Sequence, residues 1–289
     1  MKIASEQLAR VLTGEEKLLF DGAMGTTLQA QGVPTGKIAD LLCIDEPERI
    51  TGIHKAYVDA GAQVITTNTF NSNRATLESH DVDTPVADIF AAAVACARAA
   101  GPSFVAADIG STGQMLEPYG DLEPEDAYEL FAEQAKAGEA AGADFILIET
   151  IADATEAEIA IRAAKENTDL PVFTSMTFEA NGHTLMGDTV AAATERMQAA
   201  GADVVGINCS HGPETLLPLV KDMVGAATVP VLAQPNAGMP SLVDGQVVYP
   251  MTAQNFAAAV APMLEAGVTI VGSCCGSTPE FTAELAKLL

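Results

Sequence analysis

The chain has 289 residues, of which 48% are hydrophobic and 18% are charged, a composition that excludes an intrinsically disordered chain. Its 39 acidic residues outnumber its 14 basic ones and give a formal net charge of −25, which would repel nucleic acid and anionic lipid. The N-terminal residues lack the apolar core of a signal peptide, and no uncharged apolar stretch is long enough to cross a bilayer. The sequence thus predicts a cytoplasmic protein without a nucleic-acid or membrane partner.

Eight short runs rich in Val, Ile, Leu and Phe recur along the chain, and each precedes a turn and an Ala-rich stretch with helical character. These predicted strands are Leu18–Asp21, Gln63–Asn68, Phe104–Ile109, Asp144–Glu149, Val172–Met176, Asp203–Asn208, Pro230–Gln234 and Thr269–Gly272. The clearest helices between them are Pro47–Ala60, Val86–Ala100, Pro124–Ala141, Ala154–Lys165, Val190–Ala200 and Ala253–Ala266. Five glycines are placed as helix C-caps, namely Gly61, Gly101, Gly142, Gly201 and Gly267.

Strands that are apolar throughout indicate a parallel sheet covered by helices, and eight β-α units have the count and size of a (β/α)8 TIM barrel. A doubly wound sheet is the alternative, although the turn after the first strand has only part of a dinucleotide-binding glycine pattern. No linker divides the sequence, so residues 1–289 are expected to form one α/β domain.

Polar residues follow the predicted strands at the end where barrel enzymes place their active sites. Asp21 ends the first strand, Thr67 and Asn68 end the second, and Glu149 ends the fourth. The sixth strand runs into Cys209, the seventh is followed by Pro235 and Asn236, and the eighth by Cys274 and Cys275. These residues are the candidates for metal binding, substrate binding and catalysis.

Five cysteines in a reducing compartment favour thiols over disulfides. Cys43 and Cys96 stand alone in the sequence and are interpreted as small core residues. Adjacent cysteines such as Cys274 and Cys275 seldom pair, because the peptide unit between them must distort to meet disulfide geometry. The vicinal pair therefore suggests a different role.

Cys209 and the vicinal pair, two strands apart round the barrel, could bring three sulfurs together at one rim. Three thiolates suit a tetrahedral ion such as Zn²⁺ and leave a fourth position open, as catalytic zinc requires. Copper(I) also takes three thiolates, His211 could close the site as a further ligand, and three buried cysteines acting as hydrophobic residues need no metal. The predicted site is zinc held by Cys209, Cys274 and Cys275.

Six segments, in the order in which they occur, resemble the homocysteine S-methyltransferase family: DGAMGTT, TNTFNSN, IET, GINCSHGPE, PNAGMP and GSCCGSTPE. The resemblance spans almost the whole chain and is strongest to the homocysteine-binding module of cobalamin-dependent methionine synthase. One departure is Ser273, where the family usually has the second of two glycines before the vicinal cysteines.

The resemblance implies a zinc-containing barrel in which homocysteine supplies its sulfur as the fourth ligand of the ion. An alkyl thiol with a pKa of about 8.5 is mostly protonated at neutral pH, and coordination to a cation favours the thiolate that attacks a methyl group. The amino group of such a substrate needs an acceptor, and Asp21 and Glu149 are the carboxylates at the strand ends. Each also suits a structural role as a helix cap or a partner of loop amides.

The remaining substrate contacts are expected from the loops. The amides of Gly22 and Ala23 open a glycine-containing turn that can form an anion nest for the substrate carboxylate. Asn236 resembles a family residue that lies near zinc before homocysteine arrives, and a plain turn role fits its sequence equally well. Thr67 and Asn68 are expected to line the pocket.

The methyl donor is not identified by the sequence. The chain stops at Leu289, about where a homocysteine-binding module would end, and the Asp-x-His-x-x-Gly signature of a corrinoid module is absent. A separate methylated corrinoid protein is the expected donor, so cobalamin is expected on that partner only. The alternatives are a small donor such as S-methylmethionine or a betaine, a fragment of a larger methionine synthase, and a non-catalytic subunit that binds homocysteine and zinc.

Overall fold

The computed structural model describes residues 1–34, 36, 38–243 and 246–289. In that part of the chain, eight parallel strands form a sheet and two antiparallel strands form a separate hairpin. The sheet consists of β1 (Leu18–Leu19), β2 (Val64–Thr66), β3 (Phe104–Ile109), β4 (Phe145–Ile151), β5 (Val172–Met176), β6 (Val204–Asn208), β7 (Val231–Gln234) and β10 (Ile270–Val271). The hairpin consists of β8 (Ser241–Val243) and β9 (Gln246–Val248).

The sheet curves round until its two outer strands meet. Its order is β1-β10-β7-β6-β5-β4-β3-β2, and a parallel bridge between Phe20 and Val64 joins the β1 end to the β2 end. Every pair in the sheet is parallel. The predicted (β/α)8 TIM barrel is confirmed.

Helices cover the outside of the barrel. They are α1 (Glu6–Leu12), α2 (Gly25–Ala30), α3 (Leu42–Asp45), α4 (Pro47–Asp59), α5 (Arg74–Ser79), α6 (Val86–Ala99), α7 (Pro124–Ala141), α8 (Ala154–Asn167), α9 (Val190–Ala200), α10 (Pro213–Ala226), α11 (Ala253–Glu265) and α12 (Pro279–Ala286). The six helices predicted from the sequence end within two residues of these bounds. Among the described residues, no helix has both the length and the apolar character that a membrane span requires.

The five glycines placed as helix caps all adopt the left-handed conformation. Gly142 has φ 91° and Gly201 has φ 106° as the C-cap residues of α7 and α9, and Gly61, Gly101 and Gly267 also have positive φ. A side chain would be strained there, so each glycine lets the chain leave a helix and turn at once towards the next strand.

Side chains of alternate strand residues fill the barrel interior. The rings of Phe145 and Phe173 stack with centroids 4.2 Å apart, and Phe20 lies 5.9 Å from Phe145. Leu8 and Val11 of α1 are buried against the same cluster. Helix α1 therefore closes one end of the barrel, and the opposite end is left for the polar residues that follow the strands.

The aromatic interior makes Phe145 a site of large stability effects. Replacing Phe145 by alanine is expected to lower the free energy of unfolding by about 3–5 kcal/mol, because the closed barrel cannot collapse around the cavity. Urea unfolding measures this loss. Tyr119→Ala is the control, since Tyr119 is 69% exposed, and a similar loss in both variants would contradict the assignment of Phe145 to the core.

Several features differ from the sequence-based expectations. Strand β4 continues to Ile151 rather than ending at Glu149, and its register against β5 shifts between Ile148 and Ile151. The hairpin of β8 and β9 was not predicted. Cys43 and Cys96 are buried as expected, but they are neighbours, because the Cys96 thiol lies 3.7 Å from the carbonyl oxygen of Cys43.

Candidate functional site

The loop after β7 lies between the two loops that carry cysteines. The backbone N–H of Cys209 donates to the carbonyl of Gln234 at 3.0 Å, and that of Cys274 donates to the carbonyl of Pro235 at 2.8 Å. Because β7 separates β6 from β10 in the sheet, the loop after β7 sets the distance between the two loops that carry cysteines. It brings residues 65 positions apart in sequence to one rim.

The backbone at Cys209 has an unusual conformation. Cys209 has φ 56° and Ser210 has φ 60°, in the left-handed region that costs a residue with a side chain about 1–2 kcal/mol. Such strain concentrates at functional sites, where the surrounding structure over-determines it. Here it turns the chain sharply at the end of β6, next to the vicinal cysteines.

The three sulfurs lie close enough to bind one ion. The Sγ atom of Cys275 is 3.9 Å from that of Cys209 and 3.9 Å from that of Cys274, and all three lie within 4.8 Å of one another. Four-coordinate zinc with bonds of about 2.3 Å needs sulfurs about 3.8 Å apart. Among the described residues no histidine or carboxylate joins this group, so the donor set consists of soft thiolates suited to zinc.

The cluster favours one negative charge on Cys209. Hydrogen bonds from the Cys274 and Cys275 thiols, and a weaker one from Asn236, lower the pKa of Cys209. Donating those bonds raises the pKa of Cys274. Asn236 is 5% exposed, and its Oδ1 atom has no hydrogen-bond partner among the described residues. The three thiols thus form one hydrogen-bonded cluster with a buried amide oxygen beside it.

Asp21 lies at the same rim and is tied to β2. Its Oδ2 accepts from the backbone N–H of Thr66 at 2.9 Å, and its Oδ1 accepts from the Thr66 hydroxyl at 2.9 Å. Burial nevertheless raises the pKa of Asp21 to about 7, since the hydrogen bonds from Thr66 offset only part of the cost of desolvating the charge. Asp21 therefore has a structural role in addition to any contact with a ligand.

Glu149 projects from the irregular part of β4. It follows Phe145 and Leu147, which face the barrel interior, and so points towards the same space. No described residue donates a hydrogen bond to its carboxylate. Burial, and then the nearby charges of Cys209 and Asp21, raise the pKa of Glu149 to about 8.

Side chains of β5 and β6 hold the bulge that positions Glu149. Thr150 has φ 63°, which is strained for a β-branched residue. Asn208 supports it, because its Oδ1 accepts from the Thr150 backbone N–H at 3.0 Å and its Nδ2 donates to the Thr150 hydroxyl at 2.7 Å. The Ser175 hydroxyl donates to the same Oδ1 at 2.9 Å. Bulges of this kind re-aim side chains next to active sites.

Comparison with known proteins identifies the family of the chain. A family model described as homocysteine S-methyltransferase matches residues 18–289. The chain belongs to the homocysteine S-methyltransferase family. This membership confirms the resemblance carried by the six sequence segments.

Relatives in this family differ from the chain in length. A methionine synthase from Mycobacterium tuberculosis is 31% identical over 288 residues, covering 93% of this chain and 24% of that protein. The methionine synthase from Mycobacterium leprae is 30% identical with the same coverage. This chain therefore spans about a quarter of the length of these relatives.

A solved structure of the same fold covers the whole barrel. The metallated form of the homocysteine methyltransferase MmuM from Escherichia coli superposes with a TM-score of 0.82 at 23% identity, over 98% of this chain and 99% of that one. At that identity the similarity concerns the fold, which extends here from the first strand to the last helix.

The structure places the remaining predicted substrate residues at the rim with partners of their own. The Thr67 hydroxyl pairs with that of Thr69 at 2.8 Å and accepts from the Asp108 backbone N–H at 2.9 Å. The Asn68 side chain donates to the carbonyl of Ala39 at 2.9 Å, outside the barrel interior. Their contact with substrate stays a prediction.

Gly22 and Ala23 pack against the loop that carries the vicinal cysteines. The Ala23 backbone N–H donates to the Ser277 hydroxyl at 3.1 Å, so this amide already has a partner. A Cβ atom on Gly22 would lie 2.6 Å from the Ser277 Oγ and 2.8 Å from the Ser273 Oγ. Ser273 occupies the space beside Gly22, and the three sulfurs still converge. The anion nest at Gly22 and Ala23 stays a prediction.

The close packing at Gly22 predicts a clear substitution effect. Gly22→Ala is expected to lower the free energy of unfolding by about 1–3 kcal/mol, because the added methyl overpacks a filled site. Gly25→Ala is the matched control three residues on, since a Cβ there meets nothing within 4 Å. Denaturant titration of both variants checks this. Equal free energies of unfolding in the two variants would show that the loop shifts to accommodate the added methyl group without a loss of stability.

Sequence reasoning missed two residues near the site. Asp108 is buried in β3, and its Oδ1 atom has no partner among the described residues. The available signal was its spacing from Ala106 and Phe104, which lie two and four residues earlier on the same face of the strand. The ring of Tyr249, which follows the hairpin, lies against the backbone of Gly276. Burial and the neighbouring Cys275 raise the pKa of Tyr249 to about 12, so it stays a neutral hydroxyl.

Proposed function

We propose that this chain transfers a methyl group to the thiol of homocysteine and so forms methionine. We propose further that residues 1–289 constitute the homocysteine-binding barrel domain. The observation that carries the proposal is the convergence of Cys209, Cys274 and Cys275 on one rim with Asp21 and Glu149. Family membership and the relatives named methionine synthase support homocysteine as the methyl acceptor.

Cys209, Cys274 and Cys275 are the residues that would hold zinc, since the spacing of their sulfurs and their soft donor chemistry fit that ion. When bound, zinc supplies a Lewis acid that favours the thiolate form of the substrate. The cysteines hold their mutual geometry through the backbone hydrogen bonds of the loop after β7. This preorganised geometry reduces the cost of forming the site.

The polar residues of the rim would orient the amino acid. Glu149 has unused acceptor capacity and faces the barrel interior, so it suits the ammonium group, and Asp21 adds a second negative charge nearby. Asn236 offers a buried amide oxygen without a partner beside Cys209. We place the substrate carboxylate at the turn of Gly22 and Ala23, and Thr67 and Asn68 at the edge of the pocket.

A methylated corrinoid protein is the donor that we propose. The similarity to methionine synthases favours it, because this chain matches about a quarter of those proteins and the rest of their length leaves room for donor-binding segments. Cobalamin would then be carried by the partner. The cytoplasmic location expected from the sequence stays a prediction.

Incubation of the zinc-loaded protein with homocysteine and single donors tests the proposal. Methionine formation with methylcobalamin or a methylated corrinoid protein is the expected result. Methionine formation from S-methylmethionine or a betaine instead would support homocysteine as the methyl acceptor and contradict a corrinoid protein as the donor. Binding of homocysteine without product from any donor would favour a non-catalytic binding subunit. Failure to bind homocysteine at all would overturn the proposed substrate.

A further inference from the structure

Asp108 is a buried acid that faces the space above the barrel core. Phe104 and Ala106, on the same strand, belong to the interior cluster, and alternate residues of a strand point to the same side. Asp108 is 4% exposed, and its Oδ1 atom has no hydrogen-bond partner among the described residues. A buried acceptor without a partner is costly, and in a native protein it needs an explanation such as a ligand.

The acids around Asp108 differ in how much acceptor capacity they have left. Burial raises the pKa of Asp108 well above its usual range, and the charges of Glu149, Asp40 and Asp21 raise it further. Both oxygens of Asp21 accept from Thr66. Oδ2 of Asp40 accepts from the Asn71 backbone at 2.8 Å and from the Ser72 hydroxyl at 2.7 Å. Asp108 and Glu149 are therefore the two acids whose carboxylate oxygens accept the fewest hydrogen bonds.

A cation would compensate the charge of these neighbouring acids. Strands β3 and β4 are adjacent, with Asp108 opposite Leu147 and Glu149 two residues further along. None of the ion pairs among the described residues involves Asp21, Asp108 or Glu149. An ammonium group offers three N–H donors, and it would satisfy two carboxylates while offsetting their charge.

We propose that Asp108 binds the α-ammonium group of the substrate together with Glu149, and so selects thiols of amino acids over thiols without an amino group. The proposal rests on homocysteine as the substrate of the proposed function. In this arrangement Asp21 is chiefly a positioning residue, because both of its carboxylate oxygens already accept hydrogen bonds from Thr66. Asp108 is then the residue that completes the amino-group site.

Removing the amino group from the ligand isolates this contact. The test compares homocysteine with 4-sulfanylbutanoate, which is homocysteine without its amino group, by titration calorimetry on the zinc-loaded protein. In Asp108→Asn the affinity for homocysteine should fall by about 10- to 100-fold, as expected for loss of a charged hydrogen bond. The affinity for 4-sulfanylbutanoate should change by less than about threefold, because that ligand never made the contact.

Two further variants sharpen the comparison. Asp108→Ser removes the carboxyl with a smaller side chain and should give the same selective loss. Thr174→Val is the matched control, because the Thr174 Oγ1 atom is also buried without a described partner. Thr174 follows the inward-facing Phe173, so its side chain points away from the barrel interior. This control should keep the full preference for homocysteine.

The outcomes separate the two proposals. An equal loss of affinity for both ligands, or no loss for homocysteine, in the Asp108 variants would overturn the role of Asp108 and leave the proposed function intact. Failure of the unmodified protein to bind homocysteine would instead overturn the proposed function. A preference for homocysteine that vanishes in the Asp108 variants alone supports the inference.

Discussion

Replacing Cys274 by alanine is expected to lower bound zinc from about one equivalent per chain to a small fraction, because two remaining cysteines do not satisfy a four-coordinate ion. Methionine formation should fall by at least about a hundredfold, since a Lewis acid contributes several kcal/mol to reactions of this kind. Elemental analysis after purification in zinc-replete medium measures the first effect, and the rate with homocysteine and the active donor measures the second.

Cys96→Ala is the matched control for this variant. Cys96 is a free cysteine like those of the site, but it is buried in helix α6 beside Cys43. It should keep its zinc and its activity. Full zinc in Cys274→Ala, or copper in place of zinc in the unmodified protein, would contradict the proposed centre. Removal of the metal by a chelator should reproduce the loss of activity, and added zinc should restore it.

The convergence of the cysteines could be predicted because it depends on topology. Once eight β-α units indicate a barrel, the ends of β6 and β10 must lie on one rim with β7 between them. The helix bounds were also accessible, since Gly142 and Gly201 signal the end of a helix through local backbone chemistry. These features are set by residues close together in sequence or by the order of elements.

The details of the carboxylate site were less accessible. The bulge that aims Glu149 depends on Asn208, 59 positions later, whose side chain holds the strained backbone of Thr150. Such a contact between strands has no local signature. Asp108 escapes a sequence-based prediction for another reason, because it lies within an otherwise apolar strand. Its alternation with Phe104 nevertheless places it inside the barrel.

Burial of acids at the rim implies a cost in stability that depends on pH. The pKa of Glu149 rises from 4.5 to about 8 in the folded chain, first through burial and then through the charges of Cys209 and Asp21. The folded state therefore retains a proton that the unfolded state has released. The unfolding free energy of the zinc-free protein should decrease as pH rises from about 4.5 to about 8, and level off above that range.

Glu149→Gln is expected to remove part of this slope and to separate stability from binding. At pH 8 the zinc-free variant should be more stable than the unmodified protein by about 2–4 kcal/mol, because it no longer buries a charge. Its remaining slope would come from Asp21 and Asp108, whose pKa values burial also raises. The same variant should bind homocysteine about 10- to 100-fold more weakly, since the ammonium group loses a charged acceptor.

Denaturant unfolding at a series of pH values, together with homocysteine titration, measures both effects. Glu179→Gln makes the same chemical change at an exposed position after β5 and should leave the pH slope and the affinity unaltered. Parallel stability curves for Glu149→Gln and the unmodified protein would show that Glu149 carries no buried charge. A gain in stability with a loss of affinity is the combination expected of a residue kept for binding, because a site that holds a cation must tolerate unpaired acids until the ligand arrives.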